Sequence, residues 1–415
     1  MPKLQSYRAF TGLHWETGSI RNALDFAGAR APHTGEPYSE ALLMGVSGGA
    51  VMGYFSFAYE GYDPHAVILT RNTFDPMDTM LARLGVVQTV RQSTRPEKGL
   101  ANLLDTLDDG APAIVWADMY SLPYNALPLD SGMWAMMPIV VYGYDAAADT
   151  VWIADRARVP LTVSTGELAA ARARVAKDKS RLLVVDHPDP AKLPTAVQAG
   201  IWDCIKLYTE APPKGARTNF GLAAYQHWAK LLVDPKPRMS WAKQFAAPAG
   251  LLAGLTSVFN HVAIFGKGGN AERFLFANFL DEAAAILNRP ALAEVAPRFR
   301  DAGQAWDALG QALLPDDVAP LGQTRTLMLL RHHLFLERGR DALSEIRQID
   351  GQLAALKQEL IGDFPLDEAG VAGLLGNVRD HVLAIHDIEA EAASALRDAL
   401  KKQSRTSAPM HACSP

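Results

Sequence analysis

The run His14-Trp15-Glu16-Thr17-Gly18-Ser19 sets an imidazole, a carboxylate and two hydroxyls at the start of an apolar helical pattern. Backbone N–H groups at a helix start favour negative charge, so such a place lowers a nucleophile's pKa or holds an oxyanion. The plainer reading is a solvent-facing helix entrance with Trp15 plugging the core. Farther on, Trp116-Ala117-Asp118-Met119-Tyr120-Ser121-Leu122-Pro123-Tyr124 ends a strand with an aspartate and two tyrosines. Strand ends feed clefts, and a tyrosine offers a flat face with a hydrogen-bonding tip. An ordinary exit loop anchored by Pro123 fits as well. Asp155, just before Arg156, stands where it could orient a histidine or cap a turn. If His14, Glu16, Ser19 and Asp155 converge in one cleft, a His/carboxylate pair could act as acid and base on an amine or water.

Three weaker signals lie elsewhere. Cys204, in Gly200-Ile201-Trp202-Asp203-Cys204-Ile205, falls on a helical pattern and reads as a buried structural thiol. His333 and Glu337 share one helix face at i, i+4, but no third ligand is evident, so no metal site is expected. Gly266-Lys267-Gly268-Gly269-Asn270 precedes a helix but lacks the Gly-Lys-Ser/Thr ending that cradles phosphate, and reads as a flexible helix start.

The elements that must position these groups change character along the chain. Up to about residue 190, β-rich runs alternate with amphipathic stretches. Ile20, Ala23, Leu24 and Ala27 make one helical face, with Thr17 or Ser19 as N-cap. The glycine-rich apolar stretch from Leu42 to Tyr59 reads as a buried helix interrupted near Gly48-Gly49. Strands are expected at residues 65–70, 86–90 and 113–117. Pro138 to Asp145 and Thr150 to Asp155 read as a hairpin, followed by strands at 159–163 and 181–185. Ser164-Thr165-Gly166-Glu167 reads as a capping box. Strands joined by tight turns predict an antiparallel sheet flanked by helices, an α+β layout. Asp186-His187-Pro188-Asp189-Pro190 marks a boundary. Beyond it only helical faces recur (222–232, 274–287, 327–336, 343–360, 378–400), as in an irregular bundle. The expected domains are 1–186 and 191–402, with a disordered tail over 403–415.

Bulk properties bound the function. A chain of 415 residues, 49% hydrophobic and 20% charged, suits two globular domains. A formal net charge of −5 gives no electrostatic reason to bind nucleic acid. The N-terminal residues have no signal-peptide core, and no stretch reaches the ~18 to 20 apolar residues of a membrane span. Two cysteines, Cys204 and Cys413, exclude a disulfide framework and point to a reducing cytoplasm.

In order along the chain, several motifs resemble the N-terminal domain of the butirosin-biosynthesis acyltransferase family, which is related to papain-like peptidases. They are His14-Trp15-Glu16-Thr17-Gly18-Ser19, Gly45-Val46-Ser47-Gly48-Gly49, Asp118 with Leu122-Pro123-Tyr124, the run Ile139 to Asp145, and Ala154-Asp155. Gly268-Gly269-Asn270-Ala271-Glu272-Arg273 and Phe279-Leu280-Asp281-Glu282-Ala283 are similar to the uncharacterised helical domain that commonly follows it. The resemblance implies a papain-like α+β domain, then an all-α domain. It also implies transfer of an acyl group from a carrier-protein thiol to a cysteine and on to an amine. In that scheme a Cys directly after the first-motif His is the nucleophile, a His just before the Val-rich strand is its base, and an Asp after the next strand orients the base. Here those places hold Trp15, Met137 and Asp155.

The expectation is therefore a cytoplasmic acyltransferase-like protein that has lost cysteine catalysis and binds an acyl, peptide-like or amine ligand in the old cleft. Trp15, Ser19, Asp118, Tyr120, Tyr124, Met137 and Tyr142 are the candidate walls. One alternative is a non-covalent amide-forming enzyme of a secondary-metabolite-type pathway, using His14 and Glu16 with Asp155. Another makes the helical half a docking surface for an acyl carrier or pathway partner. No cofactor, metal, nucleic acid or membrane partner is expected, and the oligomeric state stays open.

Overall fold

The computed structural model describes residues 3–127, 133–265 and 269–401. The expected tail over 403–415 lies outside the described residues, as do Gly266, Lys267 and Gly268. The regular elements begin with α1 (Trp15–Phe26), α2 (Glu40–Val46), β1 (Ala50–Phe57), β2 (His65–Arg71), α3 (Pro76–Leu84), β3 (Gln88–Arg91) and α4 (Pro96–Asp108). Then come β4 (Ala113–Asp118), β5 (Met136–Asp145), β6 (Thr150–Ala154), β7 (Leu161–Val163), α5 (Thr165–Ala173) and β8 (Leu182–Val185). Only helices follow among the described residues: α6 (Leu193–Thr209), α7 (Gly221–Val233), α8 (Trp241–Gln244), α9 (Ala249–Phe259) and α10 (Arg273–Ile286). The last four are α11 (Pro290–Leu313), α12 (Ala319–Arg338), α13 (Leu343–Gly362) and α14 (Glu368–Lys401). This is an α+β part followed by a helical part. No helix of the described residues is long and apolar enough to cross a membrane.

The chain builds two compact units and passes between them more than once. The first unit combines Met1–Ser47, Asp75–Ala196 and Leu314–Pro365; the second combines Gly48–Phe74, Val197–Leu313 and Leu366–Pro415. The sequence boundary at 186–191 lies near the crossing at Ala196/Val197. Two segments depart from a single cut there, each following its own apolar residues. Val51 packs with Leu207 and Phe220, so residues 48–74 join the second unit. Phe335, Leu336 and Ile346 complete the sheet core, so residues 314–365 join the first.

In the first unit six antiparallel strands run in the order β3-β8-β4-β5-β6-β7. The run Ile139-Val140-Val141-Tyr142 suits β5 to its place beside β4 at the centre of the sheet, since β-branched and aromatic side chains pack well on a pleated surface. Its hairpin with β6 turns at Asp145, whose Oδ1 accepts the Ala147 and Ala148 N–H groups at 2.9 and 3.0 Å. The Ser164/Glu167 capping box is formed and starts α5. Val115, Ala117, Ile139, Val141, Val151 and Ile153 point into one buried core with Leu103 and Leu107 of α4 and Leu168 of α5.

The second unit contains the β1–β2 hairpin and the long helices. Its interior holds charge. Arg273 is fully buried with its Nε 2.7 Å from Glu389 Oε1. Tyr208 and Tyr225 donate to Glu389 Oε2 at 2.7 and 2.6 Å, and Trp306 Nε1 donates to Oε1 at 2.9 Å. Burial opposes the Glu389 charge, but Arg273 and these donors outweigh it and hold the carboxyl below its usual range. Arg71 and Glu272 form a second buried pair, to which Thr70 adds a hydroxyl at 2.7 Å.

Two local expectations are corrected. The stretch from Leu42 to Tyr59 is not one interrupted helix: α2 stops at Val46, and Ala50–Phe57 is strand. Gly48 and Gly49 take φ of +117° and +71°, where a helix cannot continue. A Cβ at Gly48 would stand 2.0 Å from Asn72 Nδ2, so a larger residue does not fit. The N-cap of α1 is His14, not Thr17 or Ser19. Those two lie inside the helix because their hydroxyls have tertiary partners.

Candidate functional site

The head of α1 is fixed by a residue the sequence did not single out. Glu40, in the first turn of α2, accepts the N–H groups of Leu13 and His14 at 2.7 and 2.8 Å and the Thr17 hydroxyl at 2.9 Å. His14 caps the helix, its Nδ1 accepting the Glu16 N–H at 3.2 Å. One turn on, the Ser19 hydroxyl donates to the Pro138 carbonyl at 3.0 Å, tying α1 to β5 beside Met137. Trp15 and Ser19 are four residues apart and share that helix face.

Trp15 is buried, and the guanidinium of Arg156 lies 4.5 Å from the centre of its ring. Arg156 is also 5.0 Å from the Phe335 ring. It bonds Asn125 Oδ1, and its Nε is 3.4 Å from Asp155 Oδ1. Asp155 is buried as well and accepts the Tyr124 hydroxyl at 3.1 Å. Burial pushes the Tyr124 hydroxyl well above its usual pKa; the Asp155 charge adds to this while Arg156 opposes it. Tyr124 is therefore a neutral donor. The ladder places Val140 opposite Ala154, so Asp155 follows β6 close to the start of β5, where Met137 faces Ala117 on β4.

Trp15, Asp155, Tyr124 and Ser19 are thus gathered at one end of the sheet, with Met137 half-buried on the strand that Ser19 touches. Asp118 is fully buried and works as a loop organiser. It accepts the N–H groups of Tyr120 and Ala135 at 3.4 and 2.8 Å and the Ser121 hydroxyl at 2.6 Å, with Arg174 Nε at 3.8 Å. Tyr120 is half-buried on the same turn. Tyr142 instead stacks inside the core against Tyr7, with ring centres 4.3 Å apart, and Tyr7 stacks on Phe26. Burial raises the Tyr142 hydroxyl to about 12 against the pull of Arg8.

The arrangement can hold a cation against an indole and a carboxylate. At the helix head the Thr17 and Ser19 hydroxyls are engaged by Glu40 and by the Pro138 carbonyl. Cys204 sits elsewhere, fully buried on α6, its thiol 3.2 Å from the Ala50 carbonyl and pushed to a high pKa by burial. Glu337 is taken by Arg158 in an ion pair. Among the described residues no group of three His, Cys, Asp or Glu side chains could hold a metal ion. Sequence reading missed Glu40, Asn125, Arg156 and Phe335. Arg156 had a signal in its adjacency to Asp155; Phe335, on a helix far along the chain, had none.

Residues 14–156 match the model of the family described as butirosin biosynthesis protein H, N-terminal. The matched stretch begins at the helix cap His14 and ends at Arg156, the two outer members of the site. Residues 166–325 match a domain of unknown function, DUF4872. No curated protein matches the chain. The N-terminal part of the chain is thus similar to the butirosin biosynthesis protein H family, and the match to the domain of unknown function follows directly after it.

Proposed function

We propose that this protein is an acyltransferase-like scaffold, papain-like in its first domain, that binds an acyl, peptide-like or amine ligand without cysteine catalysis. The family suggests acyl-transfer-type chemistry. The observation that carries the finer reading is the Trp15–Arg156–Asp155 stack. Where the resemblance expects a thiol and its histidine, this chain has an indole covered by a guanidinium that Asp155 holds in place. Free cysteine needs an activating neighbour to attack at neutral pH, and buried Cys204, its thiol raised by desolvation, is the opposite of an activated one. The protein would act in a reducing cytoplasm, within a secondary-metabolite-type pathway, as a pseudoenzyme or ligand-binding partner.

The alternative built on His14 and Glu16 is disfavoured, because His14 Nδ1 is already engaged by the Glu16 amide in capping the helix. The test is to incubate the full chain with acyl-thioester donors and amine acceptors and to follow intact mass and product. The expected result is saturable donor binding by calorimetry, with no acyl adduct and no turnover. Accumulation of a cysteine-linked acyl-protein, or repeated amide formation, overturns the reading.

A further inference from the structure

A concave site apart from the Trp15–Arg156 cluster lies at the edge of the six-stranded sheet. Arg91 pairs with Leu182, and Leu182 with Val115; one ladder step further, Gln92, Arg181 and Trp116 fall into a row across β3, β8 and β4. Around this row is a cavity of about 360 Å³. Met136 and Trp134 also line it, as do Lys177 and Asp178 from the turn Ala176–Asp178. Its volume is in the range of small-molecule sites.

Each indole carries a cation. The Arg181 guanidinium lies 4.2 Å from the centre of the Trp116 ring, and the Lys177 ammonium 5.4 Å from that of Trp134. A guanidinium is planar, and its N–H groups form a fork that matches a carboxylate. Arg181 Nε is buried with no hydrogen-bond acceptor among the described residues. Its Nη2 is 3.6 Å from Asp78 Oδ1, and that aspartate is largely exposed. The Arg181 side chain as a whole is 28% exposed, so the outer part of its guanidinium is open to the cavity that it lines. The lining carries Lys177 and Arg181 against Asp178, an excess of one positive charge, which suits a monoanion better than a dianion. Trp134 is 48% exposed and offers an open aromatic plate, with the adaptable Met136 beside it.

We infer that this pocket binds a small aryl carboxylate, its carboxylate on the Arg181 guanidinium and Lys177 and its ring against Trp134 and Met136. The inference does not depend on how Trp15 is read. Calorimetry of the full chain with 3-phenylpropionate tests it, with 3-phenylpropionamide and inorganic phosphate as controls. Saturable binding is expected, with the neutral amide and the Arg181→Gln variant each weaker by at least about tenfold, the worth of a charge-assisted contact. Lys177→Gln and Trp134→Ala alter exposed side chains and should each weaken binding by roughly threefold or more while the circular dichroism is unchanged. They decide the matter if Arg181→Gln does not fold. Absence of saturable binding, equal binding of the amide, equal binding of phosphate, or full affinity in both exposed-residue variants each overturns the inference.

Discussion

Arg156 lies 4.5 and 5.0 Å from the ring centres of Trp15 and Phe335, while its Nε is 3.4 Å from Asp155 Oδ1. One side chain thus joins the head of α1, the end of β6 and α12 within the first unit. A guanidinium tolerates two aromatic neighbours because it is weakly hydrated and planar, whereas an ammonium would keep its water. The arrangement gives the residue after the first-motif histidine a packing role, and that role has a measurable energy.

A double-mutant cycle measures it. Trp15→Ala alone should cost about 3–5 kcal/mol, as for other large buried aromatics. Arg156→Ala should cost less, and the coupling between the two should be about 1–2 kcal/mol, the range of a desolvated cation–aromatic contact. Urea unfolding of wild type, both single variants and the double variant supplies the four numbers. A coupling within error of zero would mean that the stack contributes no energy of its own.

Glu40 gives a second expectation. It accepts two backbone N–H groups and one hydroxyl at 2.7 to 2.9 Å, all at the start of α1. Glu40→Gln keeps the shape but replaces a charged acceptor by one oxygen and an amide donor facing other donors. The expected loss is roughly 1.5–3 kcal/mol, read as a lowered Tm. Thr17→Val removes only the hydroxyl contact and should lose about 1 kcal/mol or less. If the two variants melt alike, the carboxylate is not what fixes the helix head.

Legibility in the sequence followed the range of the forces involved. Local signals were readable: the Ser164/Glu167 capping box, the β-branched run at Ile139–Val141, the helical faces from Leu222 onward. Each depends on residues within a turn or a strand of one another. What was not readable came from distant partners. Thr17 and Ser19 have good N-cap chemistry, but Glu40 and the Pro138 carbonyl claim their hydroxyls, so the cap passes to His14. Apolar periodicity from Leu42 to Tyr59 cannot separate a buried helix from a buried strand, and only the positive φ of Gly48 and Gly49 does so. At the site, Trp15 and Asp155 were placed by family resemblance. The Arg156 side chain between them, and Phe335 beyond it, became visible only in three dimensions.

Acid sensitivity should carry the signature of His261 in the second unit. Burial pushes its pKa down to about 4, against its hydrogen bond to the Ser257 carbonyl and with help from His65. The folded pKa is below the unfolded value of about 6.5, so between them the unfolded chain binds more protons. The stabilisation is therefore complete above about pH 6.5 and lost as pH falls towards 4, by roughly 1–3 kcal/mol. The Glu389 carboxyl, lowered by Arg273 against its burial, adds its loss only below the ordinary carboxylate range of about 4.3. Unfolding free energies of wild type and His261→Gln from pH 4.5 to 7.5 separate the two. The variant's profile should be flatter between 6.5 and 4.5; parallel profiles would exclude His261 as the source.

The last expectation concerns what the helix head would do with sulfur. Trp15→Cys places a thiol at the first position of α1, where helix N–H groups and the Arg156 guanidinium both favour a thiolate. Asp155 and Asn125 bond Arg156 independently of the indole, so its charge has reason to remain. In a Cys413→Ser background the alkylation rate should follow one ionisation, since Cys204 is fully buried and its thiol raised. The inflection should fall about 1–2 units below the free-cysteine value of about 8.5. Adding Arg156→Ala should move it back up by at least half of that shift. Iodoacetamide rates from pH 5 to 10 provide the readout. An inflection at or above the free value, or one indifferent to Arg156, would show that this helix entrance does not activate a thiol, and the kinship with a cysteine-based site would lose its physical support.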